Sequence, residues 1–300
     1  MSTTIDNAFI RQYERDVHDE FQSEGSFLKP TVRFRPGVIG KSTTFQKIGK
    51  GVATTKARHG TITPMNQTHT AIECTLSDFY AGDWVDRLDE AKTNIDERKA
   101  IASGGAWALG RKVDNQIFTV LDSTTQTTVS WVITSSGAVR NSMSAMVGSL
   151  IANASFRRGQ VYGVLSPKAW EMAMTITAFA SADFVGAAGM EFEKSPPING
   201  MFKEWMGCLW TVHPDNPGVG TATSKVFVWN KMAVGYAAGE HPANLAGTMA
   251  GESSVGADIT WHGDRAAHFV NHAMSGGACM IDDTGVIEGN LDDTGTVPAS

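Results

Sequence analysis

Apolar residues recur at helical spacing between residues 94 and 122, at Ile95, Ala102, Ala106, Leu109, Val113, Ile117 and Val120. This spacing places the side chains on one face of an α-helix. Asn94, with Glu97 three residues later, predicts a capping box at the helix start. A helix over 94–122 would be roughly 40 Å long at 1.5 Å per residue. Gly104, Gly105 and Gly110 each weaken the helix by about 1 kcal/mol relative to alanine. Because glycine has no side chain, we expect another backbone to approach the helix closely at these positions.

A second, narrower stripe lies near the start of the chain. Its apolar residues are four apart, at Ile5, Phe9, Tyr13, Val17 and Phe21, and Gly25 follows as a stop signal. One such row is too narrow for a core helix. The pattern therefore predicts an arm that lies on another surface.

The later sequence alternates between helical and extended patterns. We predict a helix over residues 139–157 and another that begins at Pro167, where proline suits the first helical position. "QVYGVLS", "CLWTVHP" and "KVFVWN" are typical of strands, and "MAVGYAAG" is interpreted as a short helix. This alternation predicts a mixed α/β core.

Composition narrows the class of protein. The chain has 300 residues, 42% apolar and 19% charged, which is typical of a globular protein, and its net charge is −6. Such acidity gives no overall attraction to nucleic acid. Three cysteines without close spacing argue against a disulfide framework or a four-cysteine metal site. No signal peptide or membrane-length apolar run is present, so we expect synthesis in the cytoplasm and no membrane contact.

Gly40-Lys41-Ser42 resembles the end of a phosphate-binding loop. The first glycine of that motif would fall at Arg35, and the residues that follow are β-branched and glycine-punctuated, without helical period. A phosphate loop needs a helix N-terminus at this point. The sequence thus disfavours nucleotide binding, and we expect no cofactor. A nucleotide-binding enzyme remains the less favoured alternative.

Charge suggests another role for this region. Residues 25 to 72 contain no Asp or Glu but hold eight basic residues: Lys29, Arg33, Arg35, Lys41, Lys47, Lys50, Lys56 and Arg58. A long extended segment of one sign buries little of itself and needs a partner surface. Alternatives are a solvated, mobile loop or a nucleic-acid arm, although only Phe34 and Phe45 could stack on bases. The following segment offers the opposite charge in what we interpret as an acidic helix start, with Asp83, Asp86, Asp89, Glu90, Asp96 and Glu97.

Two further motifs are interpreted as ordinary structure. Asp283-Thr284-Gly285 and Asp293-Thr294-Gly295 spell the aspartic-protease triplet, but ten residues cannot hold two lobes, so both are predicted to be turns. A zinc site at His262, His268 and His272 is disfavoured. In a strand, four residues span about 13 Å, too far for one ion. We predict no metal site and no catalytic residues.

The ordered set "FIRQYERDVHDEFQSEGSFL", "GKSTTFQKIG", "RHGTITP", "LSDFYAGDWVDRLD" and "ALGRKVDNQIFTVL" resembles the major capsid proteins of tailed bacteriophages. The resemblance covers about residues 5 to 122 and implies an α+β fold of the Hong Kong 97 type. It further implies an N-terminal arm (1–35), an extended β-hairpin loop (36–75), a peripheral domain with the long spine helix (76–139 and 256–300) and an axial domain (140–255).

The resemblance implies a structural protein, not an enzyme. Pentamers and hexamers of this chain would form an icosahedral head shell around double-stranded DNA, in weak contact with it. Implied partners are a portal, a separate scaffolding protein if there is one, and optionally a decoration protein. Intersubunit contacts are expected at Lys41, Lys47, Lys50, Lys56, Arg58, Asp86, Asp89 and Glu90. A non-viral, encapsulin-like shell with protein cargo is the alternative of the same fold.

Overall fold

The computed structural model describes residues 25–87, 97–180, 202–240 and 255–294. The predicted arm stripe from Ile5 to Phe21 and the predicted cap Asn94 lie outside these residues. None of the helices in the described ranges is long and apolar enough to cross a membrane.

Strands dominate the described residues, and four α-helices accompany them. The strands are β1 (Arg33–Val38), β2 (Ser42–Ile48), β3 (His69–Thr75), β4 (Ser77–Asp86), β5 (Val129–Ser130), β6 (Val161–Leu165), β7 (Lys203–Trp205), β8 (Cys208–Val212), β9 (Ser224–Asn230), β10 (Val234–Gly239), β11 (Val255–His262), β12 (Ala267–Met280) and β13 (Val286–Leu291). The helices are α1 (Glu97–Leu121), α2 (Ser136–Ala152), α3 (Pro167–Met174) and α4 (Thr177–Ala180).

The first sheet is organised around the long strand β12. Strands β4, β10 and β11 all pair with it in antiparallel register, and β1 extends the sheet by pairing in parallel with β10. The second sheet has the order β5-β13-β9-β6-β8-β7. A short turn after Asn230 leads from β9 in the second sheet to β10 in the first, so consecutive strands join the two sheets.

Helix α1 packs along both sheets. Its residues Leu109, Val113, Ile117 and Leu121 are buried together with Phe227 of β9 and Tyr236 of β10, among others. Helix α2 covers the opposite face of the six-stranded sheet, where Val226 and Val228 of β9 are buried. Side chains alternate along a strand, so β9 contributes to a core on each face. This explains why "KVFVWN" is apolar without alternation.

Most predicted elements are confirmed. The long helix is present from Glu97 to Leu121, and α3 begins at Pro167 as predicted. Strands β6, β8 and β9 lie where their patterns indicate. Helix α2 begins and ends earlier than predicted. Ser135 caps it by accepting a hydrogen bond from the Ala138 amide.

Two predictions are wrong. "MAVGYAAG" contains strand β10, not a short helix. All six β10 residues are buried between neighbouring strands, and a short buried apolar run does not reveal its period. Asp83 and Asp86 belong to strand β4 rather than to an acidic helix start. Pairing with β12 holds that segment extended.

The glycines of α1 differ in their surroundings. A Cβ on Gly110 would lie 2.5 Å from the Gly25 backbone, so this glycine permits the predicted close approach. A Cβ on Gly105 would lie 2.6 Å from Nδ1 of His272, whereas Gly104 has no heavy atom within 4 Å of that position. Only two of the three glycines are therefore required by packing.

Candidate assembly interface

A β-hairpin with a long, exposed loop dominates the basic region. Strands β2 and β3 pair in antiparallel register from Ser42 opposite Thr75 to Ile48 opposite His69. Residues 49 to 68 join the strands and are called the loop tip here. From residue 51 to 68 every residue is exposed apart from half-buried Gly60. The hairpin predicted from the sequence is thus present, and its tip has almost no core of its own.

The loop tip and the adjacent strand end carry exposed apolar side chains. Val52 and Ile62 are 73% and 76% exposed, and Ile48 and Met65 are 59% and 55% exposed. Sequence reasoning emphasised the charges of this segment and missed these residues. The sequence did contain a sign of them, because apolar residues recur here in a segment that has neither the helical nor the strand periodicity of a buried element.

The cations of the hairpin fall into two groups. Lys41, Lys50, Lys56 and Arg58 are exposed. Lys47 instead pairs with Asp282 of its own chain, with 2.8 Å between Nζ and Oδ1. Burial opposes ionisation of Asp282, but hydrogen bonds from Lys47 and Thr284 prevail and lower its pKa. Asp282 is therefore a partner that sequence reasoning did not find.

The predicted acidic contact residues are only partly described. Asp86 is exposed at the end of β4, whereas Asp89 and Glu90 lie outside the described residues. Within the described ranges, the ion pair found at the hairpin cations joins Lys47 to Asp282 rather than to the acidic segment.

The other end of the hairpin is anchored to the five-stranded sheet. A buried cluster, called the loop base here, consists of Val38, Phe45, Cys74, Leu76, Ala237, Cys279 and Ile281. Glycines allow this close packing. A Cβ on Gly277 would lie 2.1 Å from the Thr75 carbonyl oxygen, and one on Gly235 would lie 2.9 Å from the Phe45 ring. The hairpin is thus fixed at its base while its tip projects away from the subunit.

A second anchor holds the segment that leads out of the N-terminal region. The buried carboxylate of Asp114 on α1 accepts hydrogen bonds from Ser26 Oγ and from the amides of Phe27 and Leu28, at 2.5, 2.9 and 3.1 Å. His213 Nε2 lies 3.2 Å from the same carboxylate. The Asp215 amide donates to His213 Nδ1, which places the ring proton on Nε2, facing Asp114. The sequence feature that could have indicated this anchor is the position of Asp114 directly after Val113, which belongs to the apolar stripe of α1.

The apparent phosphate loop has a different geometry. Gly40 has φ of +114°, and strand β2 begins at Ser42. Lys41 therefore precedes a strand, and no helix N-terminus follows it in this part of the described chain.

The first Asp-Thr-Gly triplet, Asp283–Gly285, forms one turn of 3-10 helix, and Asp293 and Thr294 of the second lie in a turn, whereas Gly295 lies outside the described residues. Asp283 accepts hydrogen bonds from Thr124 Oγ1, from the amide and hydroxyl of Thr125 and from Gln126 Nε2. Burial disfavours the charged form, but these donors prevail and lower the pKa of Asp283 to about 2. At the second triplet, Asp292 accepts from the amide and hydroxyl of Thr294. Asp283 thus ties the end of α1 to the start of β13.

The three histidines occupy strands, as predicted. The His262 ring contacts Trp84 with 5.0 Å between centroids, and the His268 ring contacts Trp261 at 4.9 Å. His272 is buried beneath α1, and burial lowers its pKa. Each ring is thus part of a separate packing environment.

Comparison with solved structures identifies the fold. Over 98% of this chain and 96% of the other, the chain is 13% identical to the capsid of cyanophage P-SCSP1u, with a TM-score of 0.70. It is 11% identical to the capsid of Ralstonia phage GP4 over 97% and 96% of the two chains, with a TM-score of 0.71. The capsid of a native GTA particle is 12% identical over 97% of both chains, with a TM-score of 0.65. The capsid fold predicted from the sequence is therefore confirmed.

Sequence comparison gives the family. No curated protein matches this chain. The model of the family described as phage capsid protein, however, matches residues 5–293, which is nearly the whole sequence. With that match and the capsid fold, the chain belongs to the phage capsid protein family.

Proposed function

We propose that this chain is the major capsid protein of a tailed phage and assembles into pentamers and hexamers that form an icosahedral head shell around double-stranded DNA. The observation that carries the proposal is a capsid family match over residues 5–293 in a subunit whose hairpin exposes apolar side chains to solvent. A shell gives every copy of the hairpin a neighbouring subunit to cover it.

The proposed domain division follows the sequence expectation, and each of the two domains contributes a strand that pairs with a strand of the other. We assign residues 1–35 to the arm, 36–75 to the loop, 76–139 and 256–300 to the peripheral domain, and 140–255 to the axial domain. Strand β10 from the axial segment pairs with β12, and β13 from the peripheral segment pairs with β9. These crossed pairings support two domains that share a continuous junction rather than a flexible linker.

The loop tip is the proposed intersubunit contact. Full burial of a Val, Ile or Met side chain contributes about 1.5–3 kcal/mol. An exposed ion pair contributes only about 0–1 kcal/mol. Val52, Ile62 and Met65 should therefore supply most of the contact free energy. The exposed cations Lys41, Lys50, Lys56 and Arg58 orient the loop, with Asp86, Asp89 and Glu90 of a neighbour as proposed acidic counterparts.

The proposed partners follow from this role. The shell would assemble in the bacterial host cytoplasm with a portal and a separate scaffolding protein, and a decoration protein would bind outside. The net charge of −6 favours weak contact with the packaged DNA. The subunit would act without cofactor or catalysis.

Electron microscopy of the purified protein tests the proposal. We expect shells, tubes or capsomers, and light scattering should show mass far above one subunit. A solution that contains monomers alone under all assembly conditions would contradict it. Particles that enclose protein instead of DNA in cells would favour the non-viral shell. Stabilisation by added nucleotide in a melting assay would favour the enzyme alternative.

A further inference from the structure

Two buried thiols from distant parts of the sequence meet in the loop base. Cys74 lies on β3 of the hairpin and is 0% exposed, and Cys279 lies on β12 of the five-stranded sheet and is 9% exposed. Both are free thiols and belong to the same buried cluster. They therefore lie on opposite sides of the contact that anchors the loop.

Backbone packing brings the two side chains together. Cys74 Sγ donates to the Gly277 carbonyl oxygen at 3.3 Å, and Gly277 is two residues from Cys279 on the same strand. Residues two apart on a strand face the same side of the sheet. Because Gly277 has no side chain, the β3 backbone beside Cys74 lies directly on β12. The thiols of Cys74 and Cys279 are close enough to interact, and the interaction shifts the pKa of each.

We propose that Cys74 and Cys279 form an intrachain disulfide when the protein meets an oxidising environment, and that this bond fastens the base of the hairpin to the five-stranded sheet. The chemistry depends only on the folded subunit. Its consequence for a released particle, a loop held in one orientation, rests on the proposed capsid function.

Thiol–disulfide exchange with a small disulfide accomplishes the oxidation. One protein thiolate attacks a sulfur of the small disulfide, which releases one small thiol and leaves a mixed disulfide. The second protein thiolate attacks the protein sulfur of that mixed disulfide and releases the other small thiol. In total the two cysteines lose two protons and two electrons, and the small disulfide becomes two thiols.

The interaction between the two thiols changes the pKa of both. The interaction with Cys279 lowers the pKa of Cys74 against the opposing effect of burial. The same interaction raises the pKa of Cys279. Since the thiolate is the attacking species, ionisation of either thiol can begin the exchange, and the other thiol then completes the bond.

Cys208 provides an internal control. It lies in the core of the six-stranded sheet, in a different buried cluster from the other two cysteines. Burial raises its pKa well above the ordinary value. We expect it to remain a thiol under conditions that join Cys74 to Cys279.

The test uses the full-length, unassembled protein and 2-hydroxyethyl disulfide as oxidant. After quenching and denaturation, an alkylating reagent counts free thiols by intact mass. The reduced protein should take up label at all three cysteines, and the oxidised protein at Cys208 only, with a peptide map that joins Cys74 to Cys279. Cys208→Ser should retain the crosslink. Cys74→Ser and Cys279→Ala should each abolish it, and the two variants together guard against a folding defect in either one.

Three outcomes would overturn the proposal. These are label at all three cysteines after prolonged oxidation, a bond that includes Cys208, or disulfide-linked dimers in place of an intrachain bond. Because thiols are counted on subunits, the result does not depend on shell formation. Failure to observe shells by microscopy would therefore leave the disulfide result standing, and the reverse also holds.

Discussion

His213 Nε2 lies 3.2 Å from Asp114 Oδ2, and both side chains are almost fully buried. The pair connects α1 with the residues that follow β8. The same carboxylate also accepts hydrogen bonds from the chain segment at residues 26 to 28. One buried group thus holds together three parts of the chain that are far apart in the sequence.

Asp114→Ala should therefore destabilise the subunit strongly. It leaves buried amides and the His213 ring without an acceptor, and each buried donor left unsatisfied costs about 1–3 kcal/mol. Urea unfolding would measure the change. Asp122→Ala, at the residue that follows α1, is the matched control. Asp122 pairs with Lys225 near the surface, so its loss should cost no more than about 1 kcal/mol. Equal costs for the two variants would contradict the anchoring role of Asp114.

Gly277→Ala should weaken the loop base. The new Cβ would lie 2.1 Å from the Thr75 carbonyl oxygen, so β3 must move away from β12. Overpacking of this kind costs about 1–3 kcal/mol. Gly104→Ala is the control because that position is open, and alanine should stabilise the helix there by up to about 1 kcal/mol. Unfolding midpoints that shift in the same direction would argue against the tight contact.

Acid should remove the stabilisation provided by Asp283. Its pKa in the folded protein, about 2, is below the ordinary 3.8, so the stabilising contribution is present above pH 3.8 and is lost as pH falls towards 2. Asp283→Asn should reduce the pH dependence of the free energy of unfolding in that window. Asp78→Asn, at an exposed position on β4, should leave the acid profile unchanged. A profile unaffected by Asp283→Asn would show that its hydrogen bonds do not stabilise the fold.

Charge reversal in the loop tip should impair assembly without affecting the monomer. A variant with Lys50→Glu, Lys56→Glu and Arg58→Glu changes exposed residues, so its unfolding free energy should stay within about 0.5 kcal/mol of the parent. Light scattering should show weaker assembly, and salt should reduce the difference because it screens charges beyond about 8 Å. Lys47→Glu is tested separately since it disrupts the pair with Asp282 in the same chain. Full assembly of the triple variant at low salt would exclude the electrostatic contact.

Removal of the apolar tip residues should impair assembly more than charge reversal does. Val52→Ser, Ile62→Ser and Met65→Ser alter side chains that are more than half exposed in the subunit, so its melting temperature should change little. If a neighbouring subunit buries all three side chains, the variant loses several kcal/mol of contact free energy per subunit, at about 1.5–3 kcal/mol for each side chain. The concentration needed for assembly should rise accordingly and should be insensitive to salt. Unchanged assembly would mean that the loop tip remains solvated in the particle.

The predictable parts of the fold are those in which the local pattern is strong. The apolar period of α1, the proline at the start of α3 and the β-branched residues of the hairpin each specify one backbone conformation over several turns or residues. The same holds for the turn at Asp283–Gly285, where the preceding Asp282 side chain accepts a hydrogen bond from the Thr284 amide. In each case residues close in sequence supply most of the interactions, so no knowledge of distant contacts is required.

The tertiary structure decided whatever depends on distant partners. Strand β10 is extended because β1 and β12 bind its edges, whereas its short apolar run by itself shows neither a helical nor a strand period. Lys47 is bound to Asp282, and Cys74 meets Cys279, only because the hairpin folds back onto β12. The sequence by itself determined the capsid fold and the exposed basic loop. Three-dimensional packing decides which charged residues find partners within the subunit and which apolar residues stay exposed for contact with a neighbour. The reason is that burial depends on how distant parts of the chain pack together.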